Sequence, residues 1–101
     1  MPPAVRVMSM VFKLYLDRPQ QMTEIVLTDS VPVDLNINIG ELKVRLLQKR
    51  GLFERVQRFF DRAHEITFTV QESGIVRKVR GNTKIKNIQA DRVIVEVRRV
   101  G

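Results

Sequence analysis

The sequence predicts an α+β fold: a mixed sheet of five or fewer strands packed on one main helix, with an extra short helix after it. Three observations predict it. Apolar residues alternate with a period of two near both ends of the chain. Between Asn38 and Gly51 the apolar period lengthens to that of a helix. Two strands before that helix, two shorter strands after it and a final strand suit a sheet with a helix against one face. With 101 residues, the chain reads as one domain, 1–101.

The first strand is expected over Val5 to Leu16, a stretch rich in β-branched and aromatic residues. In its second half Phe12, Leu14 and Leu16 should face the core, with Lys13 and Tyr15 outward. A turn follows over 17–21, where Pro19 fixes one backbone angle. Ile25, Leu27, Val31, Val33, Leu35 and Ile37 then alternate as a second strand, paired with the first as a long hairpin. Pro32 cannot donate to a ladder, which places this strand at a sheet edge or a bulge.

Asn38 is a good N-cap, with Glu41 three residues on as in a capping box. Ile39, Leu42, Leu46 and Leu47 form the apolar stripe of the main helix. Basic residues in its last turn suit the helix dipole, and Gly51 can take the left-handed conformation that ends it. A second helix is expected from Phe53 to about Arg62, with Leu52, Val56, Phe59, Phe60 and Ala63 at helical spacing. Ile66, Phe68 and Val70 alternate as a third strand. Glu72, Ser73 and Gly74 form a hairpin turn into a short fourth strand from Ile75 to Val79. Gly81 and Asn82 turn the chain again, and Val93, Val95 and Val97 mark the last strand.

Eighteen Lys and Arg against 11 Asp and Glu give a formal charge of +7 and a pI near 10.6. That balance favours acidic partners, although it lies within the ~2–8 charges common for small domains. Cysteine is absent, which removes disulfides, thiolate metal sites and thiol nucleophiles. No apolar run reaches the ~20 residues of a membrane span. The first six residues lack the apolar block of a secretory signal. An intracellular location, cytoplasmic or nuclear, is therefore expected, with no membrane association.

Two stretches resemble ubiquitin. The run from Asn38 through Leu52 matches ubiquitin's helix without a gap: polar cap, apolar Ile39, Leu42 and Leu46, Lys43 within the helix, then Gly51 before Leu52. Later, Asn87, Ile88 and Gln89 resemble the tripeptide before ubiquitin's last strand. The chain closes on Arg98, Arg99, Val100 and Gly101, similar to a shortened ubiquitin tail and closer still to the mature end of the ubiquitin-fold modifier. The likeness covers residues 12–101 at low identity and implies a ubiquitin-like β-grasp. About seven extra residues lie between Leu52 and Ile66, and the first strand is longer than ubiquitin's.

What the resemblance implies is action through protein–protein interaction, with a live prospect of conjugation through Gly101. In that role Arg98, Arg99 and Val100 would guide the tail into an activating enzyme. A glycine suits this because it has no side chain to block an enzyme channel. Counting outward positions on the last and third strands gives Ile94, Glu96, Arg98, Thr67 and Thr69, of which only Ile94 is apolar. Receptors that read ubiquitin's apolar patch should therefore not bind.

Arg77, Lys78, Arg80, Lys84 and Lys86 form a candidate basic patch for phosphate or an acidic partner. A basic domain associated with nucleic acid or a ribonucleoprotein is the alternative reading. No aromatic residue is interleaved with those cations to stack on bases. His64 is the only histidine, so no metal site is expected, and no glycine-rich loop cradles a phosphate. The chain is thus expected to be a monomer with no catalytic residues and no cofactor.

Overall fold

The computed structural model describes residues 4–15, 22–60 and 64–99. Leu16, the turn over 17–21, Arg62, Ala63, Val100 and Gly101 lie outside those residues, as do the side chains of Phe59, Phe60, His64 and Arg99.

Strands β1 (Val5–Tyr15), β2 (Met22–Pro32), β3 (His64–Glu72), β4 (Ile75–Val79) and β5 (Arg92–Arg99) form one mixed sheet in the order β2-β1-β5-β3-β4. β1 is antiparallel to β2 and parallel to β5, while β3 is antiparallel to both β5 and β4. Helix α1 (Ile39–Lys49) and the short α2 (Phe53–Phe60) follow β2. The architecture is α+β with a five-stranded mixed sheet, one main helix and a short one, which is compatible with a β-grasp.

The core forms where the helical stripe meets the inner face of the sheet. Ile39, Leu42, Leu46 and Leu47 of α1 are buried, as are Phe12 and Leu14 of β1 and Val93, Val95 and Val97 of β5. Val31, one of the alternating residues of β2, is buried with them, and Met8 and Met10, which the sequence did not single out, complete the layer. Val56 of α2 is buried, and Leu52 and Phe53 pack against the same cluster, so α2 covers the end of this core. Each fully buried aliphatic side chain contributes about 1.5–3 kcal/mol.

Both ends of α1 are tied as the sequence suggests. Asn38 Oδ1 accepts the Glu41 N–H at 2.8 Å, and Asn38 Nδ2 donates to Glu41 Oε1 at 3.3 Å. At the other end Gly51 sits at φ +67°, its N–H donates to the Gln48 carbonyl at 3.1 Å, and the Leu52 N–H reaches the Leu47 carbonyl at 2.8 Å. This paired closure is a Schellman motif.

The second strand is shorter than its alternation implies. It ends at Pro32, whose carbonyl accepts the Leu35 N–H at 3.0 Å in a turn that leaves Val33 exposed. Leu35 and Ile37 still touch the core, but from a connecting segment and not from a strand. α2 runs to Phe60, and the rest of its expected span, to Arg62, lies outside the described residues. One element was not expected at all: a 3-10 turn at Ile85–Asn87 that seats Ile85 and Ile88 in the core.

Candidate interaction surfaces

Three parts of the molecule are candidate interaction surfaces: the sheet face turned away from α1, the basic residues near β4, and the two edge strands, β2 and β4. Strand alternation decides which residues share the open face. Register aligns Val26, Val11, Ile94, Thr69 and Lys78 in one row across all five strands. The next row is Glu24, Lys13, Glu96 and Thr67, and the one after it Met22, Tyr15, Arg98 and Glu65. On the other side of the Val26 row stand Thr28, Ser9 and Arg92, with the Ser9 and Thr28 hydroxyls 2.9 Å apart.

This face is more apolar than Ile94 alone implied. Val26 is 53 % exposed, Val7 is 56 % exposed, and Val5 and Met22 are exposed on the same side. Val11 is buried to 4 % between its neighbours, although no other element covers this face among the described residues. The signal was present in β1, where Met10, Val11 and Phe12 run apolar on both faces. Only the register of β1 with β2 and β5 shows that Val11 and Val26 belong beside Ile94.

Arg98 closes one end of the face. Its guanidinium lies 3.8 Å from the centre of the Tyr15 ring and donates to Glu96 Oε2 at 3.1 Å. A cation stacked on an aromatic ring is held in place by the ring's quadrupole. Arg99 is the last residue of β5, and Val100 and Gly101 lie outside the described residues.

The basic patch read from the sequence is not one surface. Arg77 is opposite core residue Val70 and so lies on the helix side, whereas Lys78 is opposite Thr69 on the open face. Arg77 is also engaged: Nε and Nη2 both donate to Glu72 Oε1, at 2.9 and 2.5 Å. Glu72 Oε2 accepts the Gln89 backbone N–H at 3.0 Å. That N–H, followed by Arg77, holds the Glu72 carboxyl below the ordinary carboxylate range. Arg80 is exposed beyond β4, Lys86 lies in the 3-10 turn, and Lys84 forms an isolated bridge with Asn38.

Arg6, unnoticed in the sequence, is a brace. It donates to the Ile85 carbonyl at 3.3 Å, to the Ala90 carbonyl through a short contact, and to Asp91 Oδ1 at 3.4 Å. Arg6 and Glu72 thus fix the 85–91 segment from two strands. Asp29 on the helix side of β2 accepts from Lys49 at 2.8 Å, and that bond chiefly lowers its pKa. Partial burial on α1 lowers the pKa of Lys43 by desolvation.

Among the described residues no group of three or more His, Asp or Glu is placed to hold a metal ion. No helix among them is long and apolar enough to cross a membrane. Comparison of the chain with protein-family models, with curated proteins and with solved structures returned no match.

Proposed function

We propose that this chain is a ubiquitin-like domain that acts by binding other proteins through the open face of its sheet, with no chemistry of its own. The observation that supports it is the exposure of Val5, Val7, Met22 and Val26 beside half-buried Ile94, on a face that no element among the described residues covers. Grouped, exposed aliphatic side chains of this kind mark interaction sites more often than random surface. The mixed sheet on one capped helix is compatible with the β-grasp that the helix resemblance implies. Conjugation through Gly101 extends the same reading, with Arg98 and Arg99 preceding the tail and an activating enzyme as the partner.

A photoreactive residue at position 26 tests the surface, with position 48 on the exposed side of α1 as the control. Position 26 should give discrete protein adducts in extract from the source cells, competed by unlabelled chain but not by a Val7→Asp variant. Equal adducts from both positions would remove the open face from the reading. A parallel comparison of chains with and without Gly101 tests conjugation: covalent adducts should require the glycine.

A further inference from the structure

We infer that the two edges of the sheet are complementary, so that copies of this chain associate head to tail, β2 of one pairing with β4 of the next. This does not depend on the open-face reading, because it uses backbone edges.

Along β2 the hydrogen-bonding sense alternates residue by residue. Ser9, opposite Thr28, donates its N–H to the Asp91 carbonyl on the β5 side, while the Val33 N–H turns inward to the Ala4 carbonyl. The even residues of β2 therefore direct their N–H and C=O groups to the free edge. One half of that edge is occupied within the chain. The Thr28 carbonyl accepts from Arg50 at 3.2 Å, the Ser30 N–H donates to Asp29 Oδ1 at 2.9 Å, and Pro32 has no N–H. Glu24 and Val26, in the other half, have no edge partner among the described residues. The register from Val5↔Pro32 to Tyr15↔Met22 contains no bulge to twist this edge away.

β4 is the other edge. Ser73 at φ 52° and Gly74 at φ 81° form a two-residue turn, which makes Glu72 and Ile75 a hydrogen-bonded pair. Alternation then directs the backbone groups of Val76 and Lys78 outward. Both side chains lie on the open face, as do Glu24 and Val26.

Antiparallel pairing of the two edges places Glu24 opposite Lys78 of the next copy and Val26 opposite its Val76. Leu27 then faces Ile75, which is 70 % exposed in a single chain. Two hydrogen-bonded residue pairs form, and each charge meets its opposite. The rival registers are poorer. β2 against β2 either sets Glu24 opposite or diagonal to Glu24 of its own copy, or draws on the Thr28 and Ser30 groups already occupied. β4 against β4 either brings Lys78 near Lys78 or pairs Val76 alone with its own copy. Like charges across strands oppose pairing, whereas opposite charges favour it. A β2-to-β4 contact is heterologous, so it does not close at two copies and propagates until a ring or a filament forms.

The pairing is short, below the roughly 1,000 Å² of a stable interface, so association is expected at high protein concentration. Sedimentation velocity on the full chain, from about 10 μM to about 1 mM, should show species growing beyond a dimer. Glu24→Lys and Lys78→Glu alone should each weaken association by about fivefold or more. The double variant, with the charges exchanged, should restore it. Both side chains are exposed, and recovery in the double variant separates edge pairing from misfolding. A chain that stays monomeric throughout, stops at dimers, or associates equally in all four forms would overturn the inference.

Discussion

Leu46 is 1 % exposed, held between α1 and the inner face of the sheet with Leu42 and Leu47 beside it. Truncation there removes buried methyl groups and leaves a cavity that neighbours fill only in part. Leu46→Ala should therefore lower stability by about 2–5 kcal/mol, measured from urea unfolding midpoints and slopes. Glu72 makes a different kind of prediction. Its carboxyl is held below the ordinary range by the Gln89 N–H and then by Arg77. An acid so depressed stabilises the fold above its unfolded pKa and loses that contribution as pH falls through the lower folded value. The wild-type chain should lose stability on acidification below about pH 5. Glu72→Gln should lose less over the same window, read from unfolding midpoints at stepped pH. Nothing in the sequence distinguished Arg77 from its basic neighbours. Its commitment to Glu72 follows from a tight turn that brings residues five apart onto one side of the hairpin.

At the scale of elements, α1 was legible to its caps because every signal it uses is local. Asn38, Glu41 and Gly51 act within one turn of themselves. Asn38→Ala should cost about 0.5–2 kcal/mol through the lost bond to the Glu41 N–H. At Gly51 a Cβ would meet nothing within 4 Å, so Gly51→Ala tests backbone conformation alone, at about 1 kcal/mol. The two costs should add in a double variant, since opposite ends of a helix share no contacts. β2 was legible in type but not in length. Val33, Leu35 and Ile37 keep the alternation going past Pro32, yet the turn from Pro32 to Leu35 takes the chain out of the sheet. The 3-10 turn at Ile85–Asn87 is too short to set up a period, and Ile85 and Ile88, three apart and both buried, were its only trace.

At the scale of the whole molecule, alternation in each strand revealed the inner face, because Val93, Val95 and Val97 mark it without reference to any other strand. The open face depends on register between strands far apart in sequence. Val11 is 83 residues from Ile94, and their adjacency follows only from the parallel pairing of β1 with β5. That register also decides the last prediction. The apolar row is one residue wide, and its central member Val11 offers almost no surface. Directly beside it runs the row of Glu24, Lys13 and Glu96, with Glu96 tied to Arg98 and Arg98 stacked on Tyr15. An apolar helix laid over this face would have to cover Glu96 and its ion pair, and burying charge without new partners is costly. A ubiquitin-interacting helix titrated into the labelled chain should therefore produce no saturable amide shifts at concentrations that saturate ubiquitin. Glu96→Ala with Arg98→Leu should widen the apolar row and bring weak binding within reach. Tight binding by the unaltered chain would show that the charged row is no barrier, and the partner chemistry assigned to this face would have to change.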